Sequence, residues 1–143
     1  MRFLPSLLLL FLYVACSPTR YTKPTEYPDA RINFGNGGGF SGMVTEYVLL
    51  DNGQLLKKLN QVDSFEIIAT IDKNQTRQIF DNYSFLNIGS IVYNQPENMY
   101  RFLRFYQQDT EYKITWSGNQ YPEQYPNLKI FHRNLKSIIP TSK

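Results

Sequence analysis

Few residues in this sequence could carry a reaction. His132 is the only histidine and Cys16 the only cysteine. One histidine cannot assemble a histidine-based metal site, and one cysteine excludes a disulfide framework and a cysteine-rich zinc site. Asp63, Asp72, Asp81 and Asp109 could complete a Ser-His-Asp triad, but no serine stands in a G-x-S-x-G elbow. His132 follows Leu128 by one helical turn, at the edge of an apolar stripe, and packing is its expected role. The acidic residues, among them Glu46, Asp51, Glu66, Glu97, Glu111 and Glu123, are scattered, with no calcium-loop repeat and no glycosidase-like pair. Gly37 to Gly42 match G-x-G-x-x-G in letters only. A dinucleotide fingerprint needs a helix to start at the glycines, whereas Met43 to Val48 reads as strand. The glycines are expected to connect strands where positive φ is needed. The alternative is an exposed loop whose tip, Phe40, inserts into a partner. These residues point to a non-enzymatic protein without metal or cofactor, and a two-carboxylate hydrolase is the least supported alternative.

Binding chemistry is better represented. Tyr93, Asn94, Gln95 and Asn98 lie in one polar stretch; Asn119, Gln120, Tyr121, Gln124 and Tyr125 lie in another. Aromatic rings beside amides suit a glycan or a protein partner, because the ring stacks while the amide hydrogen-bonds. The same residues also serve ordinary turn and packing chemistry. Arg101, Arg104, Lys113, Lys129, Arg133 and Lys136 gather towards the C-terminus and read as a solvated face, one that could face anionic lipid or glycan. A net charge of +3 is too small for a nucleic-acid binder.

The elements that must position these residues begin with a leader. Arg2 precedes the apolar run Leu7 to Val14, and small Ala15 and Cys16 close it, the layout of a secretory signal. At about 1.5 Å per residue, Phe3 to Cys16 would span roughly 21 Å, against a hydrocarbon core of about 30 Å. Tyr13-Val14-Ala15-Cys16 resembles the lipobox of bacterial lipoproteins, with Tyr13 in place of the usual Leu. The resemblance implies removal of residues 1–15 as a lipoprotein signal peptide and acylation of Cys16. Two or more acyl chains give stable membrane anchoring. It also implies a bacterial cell-envelope address. Ser17, rather than the Asp of inner-membrane retention, favours the outer membrane. Residues 16–29, the Cys and a run with Pro18, Pro24 and Pro28, read as a tether, its thirteen residues after Cys16 extending about 40 Å in polyproline backbone.

Residues 30–143 form one expected domain. With 42% hydrophobic and 15% aromatic residues in the chain, this length can bury a core. Strands are expected at 30–34, 43–50 and 54–59, the last two joined by the turn Asp51-Asn52-Gly53. Residues 64–71 alternate, with Phe65, Ile67, Ala69 and Ile71 on one face. Asp72 with Gln75 suggests a capping box for a helix whose apolar face is Ile79, Phe80 and Tyr83. Strands follow at 99–106 and 111–116. A terminal helix from about Asn127 carries Leu128, Phe131, Leu135, Ile138 and Ile139 on one stripe, and Pro140 stops it. The fold class is α+β: an antiparallel sheet of five or six strands with two helices packed on one face, the other face partly solvated.

The segment Gly38-Gly39-Phe40-Ser41-Gly42, the aromatic cluster Phe80 to Leu86, the Tyr100-Arg101-Phe102 strand and the terminal helix after a proline-containing loop follow an order similar to that of emfourin. Emfourin is a small bacterial inhibitor of thermolysin-like metallopeptidases. The likeness covers about 32–139 and carries over no inhibitory residue. It implies inhibition as an alternative to a membrane-anchored binding domain. The same glycine segment also resembles that of small envelope lipoproteins. Phe40, Tyr93, Tyr121 and Tyr125 are the candidate binding residues, and Cys16 the candidate lipidation site.

Overall fold

The computed structural model describes residues 19–59 and 63–141. The expected signal peptide, residues 1–15, and Cys16 lie outside the described residues. Six strands form one antiparallel sheet: β1 (Arg31–Gly38), β2 (Val44–Leu50), β3 (Gln54–Lys58), β4 (Phe65–Thr70), β5 (Met99–Gln107) and β6 (Thr110–Ser117). Their order across the sheet is β4-β3-β2-β1-β5-β6, an open sheet rather than a closed barrel. The chain meanders outward from β1 to β4. Helix α1 (Lys73–Phe85) then returns it to the other side of β1, where β5 and β6 pair as a hairpin before helix α2 (Pro126–Ser137).

Both helices cover the same face. Ile79 and Tyr83 of α1 and Leu128, Phe131 and Leu135 of α2 share one core with Ile32, Phe34, Leu49, Leu103 and Trp116. Full burial of one such side chain contributes about 1.5–3 kcal/mol. The expected α+β architecture is therefore present, with six strands. Asp72 caps α1 by accepting from the backbone N–H groups of Asn74 (2.9 Å) and Gln75 (3.3 Å). The reciprocal half of the expected capping box, from the Gln75 side chain, is not made among the described residues. Pro126 opens α2 at a position whose N–H needs no partner, and the stripe from Leu128 to Ile138 is buried as its spacing requires.

Three local readings change. The strand expected at 30–34 continues to Gly38, through the glycines. Gly35 is there because the neighbouring strand is close: a Cβ at this position would stand 1.9 Å from the Thr45 carbonyl oxygen. The turn proper begins where φ becomes positive, at Gly38 (97°) and Gly39 (76°). In β4 the single-face alternation is broken by a register shift between Leu55 and Leu56, which pair with Ala69 and Ile67. Ile68 and Ala69 therefore both pack on the helix-side core, while Phe65 and Ile67 turn to the opposite face.

The third change concerns the expected tether. Residues 21–27 lie as a strap on the face away from the helices. Pro24 and Tyr27 are buried, and Tyr27 packs with Val48, Leu50 and Leu56. The Tyr27 hydroxyl donates to the Asp51 carboxylate, and Tyr21 N–H donates to Gln54 Oε1 (3.1 Å). The rings of Tyr21 and Tyr27 meet edge to face at 4.9 Å. A polar, proline-rich composition suggested spacer. The two tyrosines supply enough apolar surface to dock it.

Candidate functional site

The antiparallel register brings three connections to one end of the sheet: the β1–β2 loop (39–43), the segment before β5 (93–98) and the β6–α2 loop (118–125). Backbone bonds tie them together. Gly39 N–H donates to Asn98 O (2.8 Å) and Gly118 N–H to Met99 O (2.6 Å). Thr115 N–H donates to Tyr93 O and Gln95 N–H to Thr115 O, both at 3.0 Å, so 93–95 lies along the outer edge of β6.

Three of the four residues singled out for binding meet here. The rings of Tyr93 and Tyr125 contact edge to face at 6.0 Å, and the Tyr93 hydroxyl donates to Gln95 Oε1 (3.1 Å). Tyr121 stacks on Trp116 at 5.9 Å, and the Arg101 guanidinium lies 5.2 Å over its ring. Its hydroxyl is 2.7 Å from His132 Nδ1. Phe40 stands apart, fully exposed at the tip of the β1–β2 loop, and its ring forms no aromatic pair among the described residues.

Three hollows adjoin along the β6–α2 loop, and Tyr121 lines two of them. A half-enclosed cavity of about 260 Å³ lies between the sheet and the last turns of α2, walled by Phe34, Tyr47, Arg101, Asn119, His132 and Lys136. A second hollow, of about 530 Å³, shares Arg101 and Asn119 with it. A third, of about 490 Å³, shares Gln120, Tyr121 and Pro122 with the second and reaches Tyr93. The hollows form a continuous groove with amides and tyrosines along it and cations at its inner end.

His132 is 3% exposed, packed edge to face on Trp116 at 5.1 Å. Burial, and then the nearby cations Arg101 and Lys136, lower its pKa to about 4, so the ring is neutral at pH 7. The packing role expected for His132 holds, and it comes with a place in the cavity wall. Arg101 and Lys136, read in the sequence as part of a solvated basic face, line the cavity, Arg101 half-buried; Asn36 lines it too and was not among the candidates. Strand parity could have found Arg101: it shares its face of β5 with Leu103 and Phe105, both core residues.

Among the described residues no three His, Cys, Asp or Glu side chains gather into a group that could hold a metal ion. Glu46, a buried carboxylate, accepts from Asn33 Nδ2 (2.7 Å) within the sheet face opposite the helices. No described helix is long and apolar enough to cross a membrane. No known protein-family model matches the chain, and no curated protein is significantly similar to it in sequence.

Proposed function

We propose that this chain is a lipid-anchored protein of the bacterial cell envelope, in the outer membrane, whose domain binds a protein or glycan ligand and catalyses nothing. The observation that carries the binding half is the groove beside Tyr121, lined by residues of the 93–98 segment and the β6–α2 loop at one end of the sheet. Tyrosine faces and amide groups offer stacking and hydrogen bonds to an extended ligand. The anchoring half rests on the lipobox-like Tyr13-Val14-Ala15-Cys16.

Two measurements test it. Membrane fractionation and intact mass of the full-length protein against Cys16→Ala should show acyl mass and membrane retention only with the cysteine. A product that is processed but unacylated overturns the anchor. For binding, a photo-crosslinking residue at Gln124, exposed and lining the groove, should give adducts in living cells, and one at Glu66, exposed on β4, should not. Equal labelling from both positions removes the groove as the site.

The fully exposed Phe40 favours a second reading, in which the β1–β2 loop enters the cleft of a thermolysin-like metallopeptidase and inhibits it. Thermolysin activity should then fall at micromolar excess of the protein and recover with Phe40→Ala. No effect of the unsubstituted protein rejects this reading for thermolysin.

A further inference from the structure

The inner end of the groove differs chemically from the rest. Its floor is apolar, with Phe34, Tyr47, Met99 and Ile139; its polar wall holds Arg101, Lys136, His132 and the amides of Asn36 and Asn119. No acidic side chain lines it. Neither Arg101 nor Lys136 has a carboxylate within salt-bridge distance among the described residues. Arg101 is half-buried on the helix side of β5, held over the Tyr121 ring rather than paired with an acid. Two cations without counter-ions beside an apolar floor define a site with a charge preference and a size limit.

Deepening the reading of the groove as a binding surface, we propose that this cavity binds a small organic carboxylate with an apolar body, its charge taken by Arg101 and Lys136 and its body lying on Phe34, Tyr47 and Ile139. The volume sets the size. A cavity of roughly 150 Å³ accepts benzene, so about 260 Å³ holds one ring or a short branched chain together with its carboxylate. The charge sets the class. Arg101 offers a planar fork that matches a carboxylate, and Lys136 adds a point charge at the rim. His132, neutral at pH 7, adds no third positive charge. One carboxylate on an apolar body therefore fits better than a multiply charged phosphate, which would leave the floor without a partner.

The test uses phenylacetate and its neutral isostere phenylacetamide, titrated at pH 7 into the full chain in neutral detergent. Trp116, the chain's one tryptophan, packs on both Tyr121 and His132 and reports by its emission. Phenylacetate is expected to saturate with a dissociation constant of about 1 mM or below. Phenylacetamide should bind at least about tenfold more weakly. Lys136→Glu, on an exposed position of α2, should weaken phenylacetate by about tenfold or more and leave the amide unchanged. Equal binding of the two compounds, no saturable binding of phenylacetate, or phenylacetate binding unchanged in Lys136→Glu each overturns the proposal. The Gln124 crosslinking result is independent of these outcomes. Adducts at Gln124 without phenylacetate binding leave the groove standing and remove only the carboxylate site.

Discussion

The Tyr121 hydroxyl lies 2.7 Å from His132 Nδ1, joining the β6–α2 loop to the middle of α2. This bond fixes the ring around which the groove is organised, and it uses one nitrogen of a buried imidazole. Replacing Tyr121 by Phe leaves Nδ1 without that partner. The expected loss is about 1–3 kcal/mol of stability, measured by urea unfolding at pH 7. A change within a few tenths of a kcal/mol would mean that the bond does not order the loop.

The same histidine makes stability depend on pH. Its folded pKa is about 4, against 6.5 for an unperturbed histidine, lowered by burial and then by Arg101 and Lys136. Above pH 6.5 the ring is neutral in both states. Between 6.5 and about 4 only the unfolded chain takes up the proton, so stability falls as the pH drops through that window. The loss amounts to about 3 kcal/mol by pH 4. Unfolding midpoints from pH 7.5 down to 4 should show this slope, and His132→Gln should flatten it.

Gly35→Ala tests the close approach of β1 to β2. The new methyl would meet the Thr45 carbonyl oxygen at 1.9 Å, backbone that cannot rotate away. The expected cost is about 3 kcal/mol, read as a lowered melting temperature. Gly42→Ala is the control. Nothing lies within 4 Å of its Cβ position, and only its φ of 61° opposes a side chain, at about 1 kcal/mol. Equal effects of the two substitutions would contradict the steric account.

Asp72→Ala removes two side-chain bonds to the first turn of α1. It should lower stability by about 1 kcal/mol, and Asp72→Asn should restore most of it, since the amide oxygen can still accept. Urea midpoints for the three proteins check the order.

Tyr27→Ala should release the strap. The ring is 6% exposed and its hydroxyl bonds Asp51, so the loss is about 3 kcal/mol. Limited proteolysis should then cut before β1 at low protease. Unchanged protection of residues 19–30 would show that the strap is held elsewhere.

The legible parts of the fold were those where side-chain pattern and backbone agree. The Asp51-Asn52-Gly53 turn, the Leu128 to Ile139 stripe and the Tyr112, Ile114, Trp116 alternation all point to the elements observed. Glycine carries no pattern, so the outer half of β1 could not be seen. The bulge opposite Leu55 and Leu56 shifts parity by one residue, which no period reveals in advance. The tyrosine loops were recognised by composition, yet their convergence depends on sheet order, a long-range property. Arg101 read as solvated because apolar neighbours on both faces, Tyr100 and Phe102 on one and Leu103 and Phe105 on the other, blur which side is the core; parity finds it only once Leu103 and Phe105 are known to face the helices.

The strap gives the molecule a direction. It is pinned at Gln54 and Asp51, at the end of the sheet where β3 begins, while the groove opens at the end where β1 and β6 finish. Were Cys16 acylated as proposed, the five residues from Cys16 to Arg20 would let the strap lie at most about 18 Å from the anchor. A sheet seven or eight residues tall would then stand roughly 25 Å between bilayer and groove. A domain anchored in that way would be moored by its foot and would present its mouth outward, away from its own membrane. A ligand would then be met from the aqueous side, and lengthening the link would blunt that aim without touching any residue of the groove.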